Sequence, residues 1–165
     1  MRRSVHALMG ASLGVLLAWN NALVFFPSLI FGWIGGYFPD IDLKFRHRKS
    51  LHNIFAIATA TVIIYVGAYS LFVNWGTLEP KYIPLYSKYM ALSFLLGALA
   101  HVFFDSFTPR GVFILWPISS ARLRLGRIKS DNKFYNGFGI FISILIFFLW
   151  MAYSTGLVNV LREFS

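Results

Sequence analysis

Apolar residues run along this chain in long blocks separated by short polar clusters. Three blocks read as membrane-spanning helices: Ile54 to Val73, Tyr89 to Phe104 and Phe138 to Val158. A hydrocarbon core of roughly 30 Å takes about 20 helical residues, and a slightly short span is accommodated by local thinning. The N-terminal apolar region, His6 to Phe38, is interrupted by Asn20 and Asn21, with Pro27 just beyond. It predicts two helices, Val5 to Trp19 and Leu23 to Phe38, each about 15 residues and roughly 23 Å long, short of a full crossing. The expected fold is therefore all-α: a polytopic helical membrane protein with a short N-terminal helical hairpin and three longer transmembrane helices. No linker or low-complexity stretch divides residues 1–165, so a single integral membrane domain is expected. Arg2 and Arg3 ahead of an apolar run also fit a cleaved signal peptide. Against that, hydrophobicity resumes directly and no small-residue cleavage site stands out.

Composition agrees with the pattern. Hydrophobic residues make up 58% and charged residues only 13% of the 165, and the mean hydropathy is +0.65, well outside the range of a water-soluble domain. Cysteine is absent, which excludes disulfides, thiolate metal sites and cysteine nucleophiles and leaves nitrogen and oxygen as the only metal donors. The net charge of +9 is better explained by topology than by nucleic acid. With the N-terminus in the cytoplasm, the segments on that side hold twelve of the fifteen basic residues, and only Lys81, Lys88 and Arg162 fall outside. This is the asymmetry of the positive-inside rule. The basic stretch from Ser119 to Lys133, which includes ARLRLGRIK, reads as an interfacial amphipathic segment drawn to anionic lipid headgroups.

The same orientation gathers all four histidines and four of the six acids at one face, although neither residue type was used to choose it. Asp40 and Asp42 follow Pro39 in PDID at a helix C-terminus, where two carboxylates repel each other and oppose the helix dipole. Either a divalent cation or the neighbouring Lys44, Arg46 and Arg48 would compensate them. His101 and Asp105 form HxxxD, which puts both on one helical face, either as metal ligands or as a buried hydrogen-bonded pair. In HRKSLHN, Ser50 is the expected N-cap of a helix starting at Leu51. His52 then falls in the first turn, where the positive end of the dipole favours a neutral imidazole able to ligate. His47 is a solvated loop histidine, a ligand or a general base. His6 is an interfacial histidine or a further ligand. Arg110, in the TPRG turn, presents a guanidinium fork to a phosphate or pairs with an aspartate. A weak repeat relates GWIGGYFPD, residues 32–40, to GALAHVFFD, residues 97–105. Each is an apolar helix ending in an aspartate.

An N-terminal histidine, a glycine-rich helix ending in PDID, an HR…H segment, HxxxD, TPRG and WP occur here in an order that resembles the YdjM-like family of membrane-bound proteins, read as metal-dependent hydrolases. The resemblance covers about residues 6–120. It implies a multi-helix inner-membrane protein distantly similar to zinc-dependent phospholipase C. By matching position it implies a metal shell of His6, Asp40, Asp42, His52, His101 and Asp105, with His47, Arg48 and Arg110 around it in catalytic roles. Asn53 stands where the family commonly has serine after its second histidine.

The expected function is a membrane-bound metal-dependent hydrolase, holding one or two zinc-like divalent ions, in the inner membrane with its site facing the cytoplasm. A lipid phosphoester is the expected substrate, since an interfacial pocket meets anionic phospholipid headgroups directly; membrane lipids, not nucleic acid, are the expected partners. The alternatives are a metal or proton transporter, whose site should lie near the midplane, and a non-catalytic membrane protein with a structural metal, whose coordination should be closed.

Overall fold

The computed structural model describes residues 1–44 and 50–155, the side chains of 42–44 excepted. Among these residues are five α-helices: α1 (Arg3–Leu17), α2 (Phe25–Tyr37), α3 (Ile54–Trp75), α4 (Ile83–Ser106) and α5 (Lys133–Ser154). Helices α1, α3 and α5 run away from the end that holds the N-terminus, and α2 and α4 return to it. The all-α expectation holds, but four helical units, not three, are long and apolar enough to cross a membrane. The additional one is Ala22–Ile41. Its α-helical part has only 13 residues, but 3₁₀ turns at Ala22–Val24 and Phe38–Lys44 continue it at both ends. At about 2.0 Å per residue, 3₁₀ turns rise faster than α, so the unit traces roughly 33 Å. The expected helix, Leu23 to Phe38, leaves out most of the second 3₁₀ turn, which completes the span. Only α1 stays short.

Helices α1, α2 and α4 form the tightly packed centre. Gly10 and Gly14 on α1 meet Gly32, Gly36 and Ser28 on α2 with backbone against backbone, and Gly97 on α4 presses on the same stretch of α2. A methyl group at Gly32 would overlap the carbonyl oxygen of Gly10, and one at Gly97 would overlap that of Gly32. Apolar burial drives little helix association inside a bilayer, where lipid is as apolar as leucine. Close approach of small residues, with the dispersion it permits, supplies the attraction instead. Ile57, Phe94, Ala98, Val102 and Val112 extend this core to α3 and the loop after α4. Helix α5 lies along α1, where Ser143 approaches Ser12 (Oγ to Oγ, 3.5 Å). At the end away from the N-terminus, Trp19 packs on Tyr153, whose hydroxyl donates to Asn20, in the manner of an interfacial aromatic belt.

Between α4 and α5 the chain is irregular. Residues 108–111 form a turn closed by Gly111 N–H donating to the Thr108 carbonyl, with Gly111 at φ 58°. Val112 and Leu123 pair as an isolated antiparallel bridge. Leu125 and Ile128 then donate backbone hydrogen bonds to the carbonyls of Ser106 and Phe107. The basic stretch is therefore an extended strap tied across the C-terminal end of α4, with its arginines exposed.

Candidate metal centre

Four of the six expected metal ligands meet in one place. Asp40, His52, His101 and Asp105 are all buried, and each offers a donor atom within 4.8 Å of the donors of the other three. His101 Nε2 lies 3.6 Å from Asp40 Oδ1 and 3.8 Å from Asp105 Oδ2, while His52 Nε2 lies 3.8 and 3.7 Å from the same two oxygens. Four atoms separated by such edges surround a point roughly 2.3–2.5 Å from each, a few tenths beyond zinc–nitrogen and zinc–oxygen bonds of about 2.0–2.2 Å. The donor set, two imidazoles and two carboxylates, suits a borderline or hard divalent ion.

Three of the four residues, His101, Asp105 and Asp40, are held by groups outside the cluster. His101 Nδ1 donates to the Gly36 carbonyl at 2.7 Å, which in the neutral imidazole leaves Nε2 as the nitrogen able to ligate. A backbone carbonyl on the far nitrogen is a common way of fixing the tautomer of a metal-binding histidine. His101 Nε2 is buried with no hydrogen-bond partner among the described residues, a costly arrangement that a cation would relieve. Asp105 sits in the last turn of α4, and its carbonyl accepts from both the backbone N–H and the hydroxyl of Thr108, so the TPRG turn anchors the residue that precedes it. Asp40 lies in the 3₁₀ extension of α2, with Arg3 Nε 3.8 Å from its Oδ2.

His52 is placed differently from expectation. The helix starts at Ile54, and Asn53, not Ser50, is its N-cap, accepting from Ala56 N–H at 2.9 Å. The Ser50 carbonyl instead accepts from the Asn53 amide at 2.7 Å. His52 therefore stands just before the helix, and Ile54 N–H bonded to the Ile114 carbonyl ties this entry to the loop after TPRG. Asparagine and serine both cap well, so the departure at position 53 keeps the capping chemistry. An Asn directly before a long apolar run was the signal available in the sequence.

His6 joins the cluster from the side. Its Nε2 is 3.1 Å from Asp105 Oδ1, and its ring stacks on that of His101 with centroids 3.9 Å apart. It touches a ligand but stands outside the four-residue group. The backbone nitrogen of Met1 also lies 3.6 Å from Asp105 Oδ1. Arg110 is exposed and makes no ion pair among the described residues. His47, Arg48 and the side chain of Asp42 lie outside the described residues. Arg3 was not among the expected site residues, although its spacing of three from His6 puts the two side by side on one face of α1.

An open cleft of about 740 Å³ adjoins the centre, with Asp40, Asp105, Arg3, Arg110, Trp33 and Tyr37 among its lining residues. The two carboxylates thus face both the buried histidines and the cleft.

The two halves of the weak repeat lie side by side. Gly32 and Gly97 are in contact, and the aspartate eight residues after each is a member of the cluster. Two parallel helices of similar composition thus deliver one carboxylate each.

No curated protein and no solved structure matches the chain. A family model for the YdjM inner membrane protein, however, matches residues 1–161, and with that match over almost its whole length the chain belongs to the YdjM inner membrane protein family.

Proposed function

We propose that this protein is a membrane-bound hydrolase that uses a zinc-like ion held by Asp40, His52, His101 and Asp105 to cleave a phosphoester of a membrane lipid. The observation that carries the reading is the joining of a buried two-histidine, two-carboxylate cluster to a cleft lined by Arg2, Arg3 and Arg110. An ion in such a site supplies Lewis acidity and an activated water at neutral pH. The chain's own residues do the rest. The Gly36 carbonyl orients His101, and His6 holds Asp105. Arg110 offers a planar fork to the substrate phosphate, and Arg3 sets a second positive charge beside Asp40. His47, Arg48 and Asp42 are assigned to the same site on their sequence positions alone.

The site end of the helices carries Arg2, Arg3, Arg110, Arg122, Arg124 and Arg127, so by the positive-inside rule it faces the cytoplasm. Single cysteines at positions 46 and 124 of this cysteine-free chain should react with an impermeant reagent only after the inner membrane is breached. Reaction from the periplasmic side in intact inner membranes would reverse the orientation.

A second reading, a structural metal, is favoured by the four protein donors, which close a tetrahedral shell. X-ray absorption on the metal-loaded protein separates the two, because a catalytic centre includes an exchangeable water. A transporter fits less well, since the cluster sits at helix ends and not at the midplane.

Activity is tested on phosphodiester and phosphomonoester lipids, with chelator-treated protein as the blank. Arg110→Lys should keep the metal and lose roughly tenfold or more in kcat/KM, the worth of a charge-assisted bidentate contact. Hydrolysis that survives chelation, or no hydrolysis of any phosphoester by metal-loaded protein, would overturn the proposal.

A further inference from the structure

The cleft beside the centre continues onto an exposed apolar face of α2. Trp33 and Tyr37, which form part of its wall, lie one turn apart on α2 with rings parallel to within 3° and centroids 5.8 Å apart. Both are exposed, as are Phe26 and Ile30 further down the same helix. Spacings of four, three and four residues place Phe26, Ile30, Trp33 and Tyr37 on one face. The opposite side of α2, carrying Gly32, Gly35 and Gly36, is pressed against α1 and α4. A continuous apolar strip therefore climbs the exposed side of α2 and runs into a cleft lined by Arg2, Arg3 and Arg110.

We infer that this strip and cleft form a binding site for one anionic glycerophospholipid that enters sideways from the bilayer, its phosphate between Arg3 and Arg110 and an acyl chain along Tyr37, Trp33, Ile30 and Phe26. The inference rests on the hydrolase reading for the fate of the phosphate but not for binding. The order of polarity along the site, cations at the membrane surface and then amphipathic and apolar side chains at increasing depth, matches that of an anionic lipid. Helices α3 and α5 also expose apolar faces, but neither contributes a residue to this cleft. A second protein chain seated on the strip would leave Arg110, which makes no ion pair among the described residues, without an anion.

The test uses the full chain in nanodiscs with a phosphatidylglycerol analogue bearing a photoactivatable group midway along one acyl chain, and cross-linked peptides are mapped. Label should concentrate on residues 26–37 over the exposed face of α5 around Phe141 and Phe148, and a phosphatidylcholine analogue should label the two faces alike. Arg110→Gln should lower the α2 label about fivefold, the effect of removing one cation worth about 1 kcal/mol near an anionic headgroup. Trp33→Ala should shift the label away from α2. Equal labelling of α2 and α5 by the anionic probe, or labelling unaffected by Arg110→Gln, would overturn the site. Disulfide-linked dimers of a Trp33→Cys variant in place of lipid label would assign the strip to a second copy instead. Labelling needs no turnover. Expected labelling without hydrolysis therefore removes the catalytic reading alone, and hydrolysis with uniform labelling removes the lipid site alone.

Discussion

Helices α4 and α5 are both apolar helices of more than 20 residues that end or begin at the same side of the molecule, yet they do different work. About half of α4 is buried inside the protein, whereas only three of the 22 residues of α5 are. The buried face of α4 carries Ser87, Ser93, Gly97, His101 and Asp105, whereas that of α5 is reduced to Asn136, Gly139 and Ser143. The apolar stretch of α4 is the less hydropathic of the two, because polar groups are tolerated in a spanning helix only where protein, not lipid, surrounds them. The less hydrophobic of two spans is thus the one to search for chemistry. Helix α5 supports the site only from its first turns, through Tyr135 hydroxyl donating to the Phe104 carbonyl and the Asn136 side chain accepting from Arg2 N–H.

The largest expected effect separates these helices outright. The double variant His101→Ala/Asp105→Ala should lower the metal content of detergent-purified protein from about one ion per chain to background, because both removed donors belong to one centre. Ser143→Ala on α5 should leave it unchanged. Elemental analysis reads both, and retention of metal by the double variant would dissolve the contrast. A smaller effect tests the packing. Gly32→Ala inserts a methyl group into the backbone of α1 and should cost about 1–3 kcal/mol or more, as overpacking does, seen as a fall in thermal or denaturant midpoint in detergent. The smallest effect has the opposite sign. Gly137 on α5 has nothing within 4 Å of an added methyl group, so Gly137→Ala should gain about 0.5–1 kcal/mol from helix propensity. A loss of stability there would mean that α5 packs against something on its outer face.

The repeat Gly32–Asp40 and Gly97–Asp105 shows how much of the site could be read in advance. Each half is visible in the chain, and the i, i+4 spacing of His101 and Asp105 puts them on one face without any tertiary information. That the two halves touch, glycine to glycine, was not visible, because composition records that a helix can be approached closely but not which helix approaches. His52 shows a similar limit. Its membership of the cluster was expected, but its backbone position depends on whether Ser50 or Asn53 caps the helix. Both are good caps, and the choice is made by Ile54 bonding to Ile114, a contact across 60 residues that no local propensity encodes.

Hydropathy and charge by themselves determined that the chain is an all-helical membrane protein with most of its basic residues, histidines and acids at one end, because transfer free energies and the positive-inside bias act on each segment alone. Only the tertiary structure decided the rest. Four of the six expected ligands close around one point, His6 buttresses Asp105 from outside that group, and Arg3, Trp33 and Tyr37 border the cleft. Those outcomes depend on how closely glycine-lined backbones pack and at what rotation, which are properties of pairs of helices and not of any one stretch of sequence.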